Sequence, residues 1–158
     1  MMFFKAHEDK RPDKHDWYMQ IAQVVSQRAT CARRKVGCVI VDIFGNIMST
    51  GYNGVPRGVT HCLDVPCSGA KEKSGEGLDK CAAVHAEQNA IAQCPDINSI
   101  KSVYVTTAPC VSCLKLIINT GATHIFFKED YPQAQAAGDL WCRSHPNRDW
   151  IYLNDKEK

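Results

Sequence analysis

No apolar run in this 158-residue chain approaches the roughly 18–20 residues that a membrane-spanning helix needs. The first residues, "MMFFKAHEDKRPDKHD", become charged too early for a secretory signal, and no small-residue cleavage site follows. A cytoplasmic protein is therefore the expectation. Long blocks of like charge are also missing. The formal net charge is +2, and apart from "ARRK" at 32–35 the basic residues are scattered. No stripe of lysines and aromatics stands out, so a polynucleotide partner gains no support. Nor is there an internal repeat or a shift in composition that would mark a second domain. At 44% hydrophobic and 23% charged residues, the composition is that of one soluble globular domain spanning residues 1–158.

What the chain does have is cysteine, nine of them. Without an export signal, that count favours metal ligation over disulfides. The number is odd, so any disulfide scheme leaves at least one thiol unpaired.

The pattern of elements predicts an α/β fold. From about Asp13 to Arg28 the apolar groups Trp17, Ile21, Val24 and Val25 recur at helical spacing, with Pro12 near the start. Val36–Asp42 and Ile47–Tyr52 read as a hairpin around the turn "FGN". A loop insertion at about 61–81 follows, with the flexible composition "SGAKEKSGEG" at 68–77. Helices are predicted over Ala83–Gln93, Cys110–Thr120 and Gln133–Ser144, and strands over 102–107, 124–127 and 149–153. Two strand–helix–strand units imply parallel pairing, hence a three-layer α/β/α sandwich around a mixed five-stranded sheet.

Two segments carry chemistry. His85-Ala86-Glu87 opens one helix, and Pro109-Cys110-x-x-Cys113 opens another. A Cys-x-x-Cys pair at a helix N-terminus presents two sulfurs to one metal, and the exposed amides favour the thiolate. His85, Cys110 and Cys113 make three zinc ligands with the fourth position open, the pattern of a catalytic rather than a structural site. Zinc brings the pKa of its water from 15.7 towards roughly 7. Glu87 lies near without being a ligand, so it is the candidate proton carrier, a role typically contributing 10²–10⁴-fold. Taken separately, a Cys-x-x-Cys is also a redox pair or half a structural site, and His-x-Glu is common. Together they form the signature of zinc nucleobase deaminases.

The segments "TCARRKVGCVIV", "GYNGVPRGVTHC", "VHAEQNAI" and "TTAPCVSCLKLIINTGATHIFF" resemble the deoxycytidylate (dCMP) deaminase family, in that family's order, over about Trp17 to Tyr131. The resemblance implies the reaction dCMP + H2O → dUMP + NH3, which feeds thymidylate synthesis. It implies that Glu87 protonates N3 of cytosine and passes a proton to the departing amine. It places Asn53 on the deoxyribose hydroxyl or base, and Tyr131 near the base. As bare sequence, Asn53 reads equally as a turn residue before glycine and Tyr131 as packing. Arg33 fits the family's Cys-x-Arg pattern and is the candidate for the 5′-phosphate; a solvated basic turn is the competing reading. The resemblance further implies a homohexamer, activated by dCTP with Mg2+ and inhibited by dTTP. Arg57 and Gly58 in "NGVPRGV" are candidates for the effector phosphates.

Cys62, Cys67 and Cys81 bracket the inserted loop and suggest a second, structural Zn2+. Cys31 is the choice for its fourth ligand and His61 the competitor, with unpaired surface thiols as the alternative. Cys38, Cys94 and Cys142 lie in apolar patterns and read as small core residues. Among other activities, a dual dCMP/dCTP deaminase is the close competitor. A tRNA adenosine deaminase shares the zinc motif but would show a larger basic face. A free cytidine deaminase usually has Cys where this chain has His85. From a different class, a nucleotide sensor without turnover would have no use for Glu87.

Overall fold

The computed structural model describes residues 9–154, so the first part of the charged N-terminal segment lies outside the described residues. Helix α1 (Lys14–Ser26) leads into strands β1 (Gly37–Asp42) and β2 (Ile47–Tyr52). A long irregular stretch follows, then α2 (Ala86–Gln93), β3 (Ile100–Thr107), α3 (Val111–Ile118), β4 (His124–Glu129), α4 (Ala134–Ser144) and β5 (Asp149–Tyr152). Among the described residues, no helix is long and apolar enough to cross a membrane.

The strands form one sheet in the order β2-β1-β3-β4-β5. The pairs β2/β1 and β1/β3 are antiparallel, whereas β3/β4 and β4/β5 are parallel. The parallel pairs are those joined through α3 and α4, as the two strand–helix–strand units require.

Alternation along the central strands builds a core on each face. Cys38, Ile40, Val103, Val105, Ile125 and Phe127 point to one side, where α2, α3 and α4 pack. Val39, Val41, Tyr104 and Phe126 point to the other, against Tyr18, Met19 and Ala22 of α1. This is the three-layer sandwich. Full burial of each such aliphatic side chain is worth about 1.5–3 kcal/mol. Trp141, fully buried, locks α4 to the edge of the sheet by donating from its indole to the Asp149 carbonyl at 3.0 Å.

Two glycines let helices lie directly on strands. A Cβ at Gly37 would stand 1.9 Å from the Ala22 carbonyl oxygen of α1. At Gly51 it would stand 2.2 Å from the Ala86 carbonyl oxygen and 2.4 Å from the Ala90 nitrogen of α2. This approach corrects the reading of α1. The helix forms where its spacing predicts, but Trp17 is 44% and Val24 62% exposed, and the buried stripe is Tyr18, Met19 and Ala22. Contact with Gly37 demands a small side chain at the centre of the stripe, and Ala22 provides it. Cys142 also departs from expectation: it is exposed, because α4 buries the Ala134, Ala137, Gly138 and Trp141 face. Cys38 is buried, and the half-buried Cys94 packs against the core.

Candidate active site

His85 and Cys110 are each the residue immediately before a helix, α2 and α3 respectively. Their backbones are fixed from outside those helices. Val84 and Gly54 exchange both main-chain hydrogen bonds, at 2.8 and 3.1 Å, pinning the entry to α2 onto the turn after β2. The Gln88 carboxamide then accepts from the His85 N–H at 2.9 Å. On the other side, β3 ends at Thr107, and the Cys110 sulfur caps α3 by accepting from the Cys113 N–H at 3.5 Å.

These two helix starts meet. His85 Nδ1 lies 3.2 Å from Cys113 Sγ and 3.6 Å from Cys110 Sγ. All three ligand atoms fall within 4.8 Å of one another, the set among the described residues that closes to this spacing. The hydrogen bond from Cys113, with His85 beside it, pulls the Cys110 thiol down to about 4, while the same contact and burial hold the Cys113 thiol up. One imidazole nitrogen and two sulfurs are the donor set of a zinc centre with an open position, so the residues fit that metal.

Glu87 is only 4% exposed, and burial raises its carboxyl to about 7, with the Cys110 charge adding to the rise. A buried carboxyl near neutrality holds or yields a proton with little penalty, as general acid–base work requires. Both His85 and Glu87 line a cavity of about 280 Å³, together with Cys110, Asn53 and Tyr131.

The loop between β2 and α2 supplies one wall of that cavity through Ala70, Glu72, Ser74, Gly75 and Leu78. It is tied down by the Lys80–Glu72 ion pair at 3.0 Å, by Ser68 Oγ donating to the Lys80 carbonyl at 2.8 Å, and by Arg33 Nη2 donating to the Lys73 carbonyl. The loop cysteines are neighbours. The Cys62 thiol stands 3.7 Å from Cys67 Sγ. The Ala82 N–H, followed by contacts with Cys62 and Cys81, holds the Cys67 thiol below its ordinary value. Burial, with the nearby Cys31 adding to it, raises the Cys81 thiol; Cys31 is itself buried and lines the same cavity. His61 is exposed.

Asn53 reaches the cavity but also works on the main chain. Its Oδ1 accepts from the Val36 N–H at 2.8 Å, and its Nδ2 donates to the Arg34 carbonyl at 2.7 Å. Arg57 and Gly58 lie in an exposed turn that does not line the cavity. Of two further lining residues, Thr107 has no signal in the sequence, and Arg34 stands there only as one of the basic run Arg33, Arg34 and Lys35, from which Arg33 is preferred. Arg34 Nη1 and Thr107 Oγ1 are buried polar atoms without a hydrogen-bond partner. No local pattern singles them out: one is the second of two adjacent arginines, the other the second of two adjacent threonines.

Residues 12–129 match the family model of the cytidine and deoxycytidylate deaminase zinc-binding region. The chain belongs to this deaminase family. A deoxycytidylate deaminase of Mycobacterium phage D29 is 36% identical over 126 residues, covering 76% of this chain and 98% of its own. The Saccharomyces cerevisiae deoxycytidylate deaminase is 32% identical over 123 residues, covering 77% of this chain. The chain spans about two fifths of the length of the yeast relatives, 39% and 38%. Among solved deaminase structures, the dCMP deaminase of cyanophage S-TIM5 in complex with dCMP and dUMP superposes with a TM-score of 0.71 at 26% identity, covering 90% of this chain and 98% of that one.

Proposed function

We propose that this deaminase hydrolyses dCMP to dUMP and ammonia, in the cytoplasm, supplying dUMP for thymidylate synthesis. One observation carries the reading: the His85, Cys110 and Cys113 donors converge within 4.8 Å, and His85 and Cys110 line one cavity with a buried carboxyl, Glu87. A zinc ion held by those three donors supplies Lewis acidity that makes water a nucleophile at neutral pH. Glu87 takes the proton that this water gives up and delivers it to N3 of the cytosine ring. It then takes the remaining proton of that water, now a hydroxyl on C4, and carries it to the amine leaving C4, so that ammonia departs and the carbonyl of uracil forms. Glu87 itself is buried, and Asn53, Tyr131 and Arg33 line the space where the nucleotide is held.

The second Zn2+ belongs to the same reading, on Cys31, Cys62, Cys67 and Cys81. The 3.7 Å between Cys62 and Cys67 sulfurs supports it, because two Zn–S bonds of about 2.3 Å at a tetrahedral angle set sulfurs about 3.8 Å apart. Activation by dCTP with Mg2+, inhibition by dTTP and a homohexamer complete the reading. Its effector residues are Arg57 and Gly58; Gly58 has a φ of +82° and open space around its Cα, room for a phosphate to approach.

The test is ammonia release from dCMP, dCTP and deoxycytidine by the zinc-loaded protein, each with and without added dCTP or dTTP. Turnover of dCMP is expected, and Glu87→Gln is expected to keep zinc while losing about 10²–10⁴-fold in kcat. A parent protein that binds dCMP without releasing ammonia is a sensor, and the enzyme reading is then wrong. Equal turnover of dCTP establishes the dual-specificity alternative.

A further inference from the structure

Adjacent arginines, Arg33 and Arg34, enter the cavity from the segment between α1 and β1, and the structure gives them different tasks. Arg33 reaches across to the loop between β2 and α2, where its Nη2 donates to the Lys73 carbonyl. Arg34 makes no such tether. Its guanidinium carbon lies over the ring of Tyr131, 5.7 Å from the centroid, and its Nη1 is buried with no acceptor. The backbone around it is rigid: the Asn53 carboxamide grips the Arg34 carbonyl at 2.7 Å and the Val36 N–H at 2.8 Å.

A guanidinium is always protonated and only donates, so a buried N–H without an acceptor is a group waiting for one. Nearby carboxylates do not fill that role. Glu72, on the loop wall, is paired with Lys80 at 3.0 Å, and Glu87 lies buried beside the metal ligands. A planar donor fork held against an aromatic face and braced by its own backbone is pre-organised for an oxyanion with more than one acceptor oxygen.

We propose that Arg34, rather than Arg33, is the residue that binds the 5′-phosphate of the nucleotide and makes the monophosphate preferred over the nucleoside. The proposal rests on the deaminase reading for the identity of its ligand. Tyr131 supports Arg34 from below, and Asn53 fixes the segment that carries it. Arg33 holds the loop wall closed over the same space. Its contribution to the phosphate is through the field of its charge, not through a fork aimed at the ligand.

The test uses dUMP and deoxyuridine, which are not turned over, titrated calorimetrically into the zinc-loaded full-length protein. The parent is expected to bind dUMP about 10- to 100-fold more tightly than deoxyuridine, the range for charge-assisted hydrogen bonds. Arg34→Gln is expected to erase that ratio by weakening dUMP alone, and Arg34→Lys to restore part of it through charge without the fork. Arg33→Gln, which removes only a more distant charge, is expected to lower the ratio by a few-fold at most and to keep dUMP the preferred ligand. A preference that survives Arg34→Gln, or that disappears with Arg33→Gln instead, overturns the proposal, as does equal weakening of both ligands. Should Arg34→Gln lose zinc or fail to fold, Arg34→Lys decides alone: unchanged dUMP binding counts against Arg34. Ammonia release separates the two readings. Selective dUMP binding by a protein that does not deaminate dCMP sinks the reaction and leaves Arg34 standing. Equal binding of dUMP and deoxyuridine by a parent that does deaminate dCMP sinks Arg34 and leaves the reaction.

Discussion

The two cysteine groups around the cavity are built in different ways. Cys110 and Cys113 sit at the start of a helix that follows directly from a central strand, and His85 sits at the start of another helix pressed onto Gly51. Their positions follow from the sheet, and the three donors lie within 4.8 Å of one another. Cys62, Cys67 and Cys81 ride on a succession of turns between β2 and α2, connected by short-range hydrogen bonds such as Ala70 N–H to the Cys67 carbonyl and Lys80 N–H to the Gly77 carbonyl. They approach in a chain, and the sulfurs do not close to the spacing of the first group. A site organised by packing is ready before its metal arrives; one organised by a loop depends on the metal for its shape.

Ligand removal breaks this comparison most sharply. Replacing Cys113 with Ala is expected to take one zinc per chain and all measurable turnover while leaving the melting temperature close to the parent's. Replacing Cys67 with Ser is expected to take the other zinc, sensitise residues 61–81 to proteolysis, and leave turnover present with a raised KM. Metal analysis and limited proteolysis of the pair check this, and a parent carrying a single zinc per chain removes the second half of the comparison.

A smaller effect tests whether packing on the sheet truly positions the first group. Gly51→Ala places a methyl 2.2 Å from the Ala86 carbonyl oxygen. Overpacking of this kind costs about 1–3 kcal/mol. Because Ala86 lies between His85 and Glu87, turnover should fall along with stability in denaturant titrations. Lost stability with intact turnover would show that α2 holds its ligand without help from β2.

The smallest effect lies far from both groups and serves as a reference. His124 pairs with Asp149 at 3.1 Å, yet burial and the neighbouring Lys101 outweigh that partner and lower its pKa from 6.5. The unfolded chain then binds the proton more readily than the native one, so this residue subtracts stability as pH falls below 6.5 and contributes no slope above it. In thermal melts, His124→Gln should flatten the decline of Tm below that pH without changing turnover. An unchanged slope would sink the assignment.

Most of the architecture was readable from periodicity, because alternation in β1, β3 and β4 and the breaks at Gly and Pro follow directly from which side chains the two cores bury. The face of α1 was not. Apolar character alone favours Trp17 and Val24, but the helix lies so close to Gly37 that size decides, and size complementarity between elements distant in sequence leaves no local trace. The exposure of Cys142 has the same origin, since Trp141 takes the buried position beside it. The metal ligands were legible because helix starts converge at fixed spacings. The roles of Arg33 and Arg34 were not, because which of two neighbours turns inward depends on Asn53 and Tyr131.

The cavity has a floor of strand ends and helix starts and one wall made from residues 70–78 of a surface loop. Changes in the floor disturb the reacting groups; changes in the wall alter only what is admitted to them. Descendants of such a chain can therefore drift in substrate size and charge by replacing a few loop residues while the chemistry beneath stays constant. Surface loops also tolerate insertion and substitution better than the elements they join. Selection for a new nucleotide would act first on that wall.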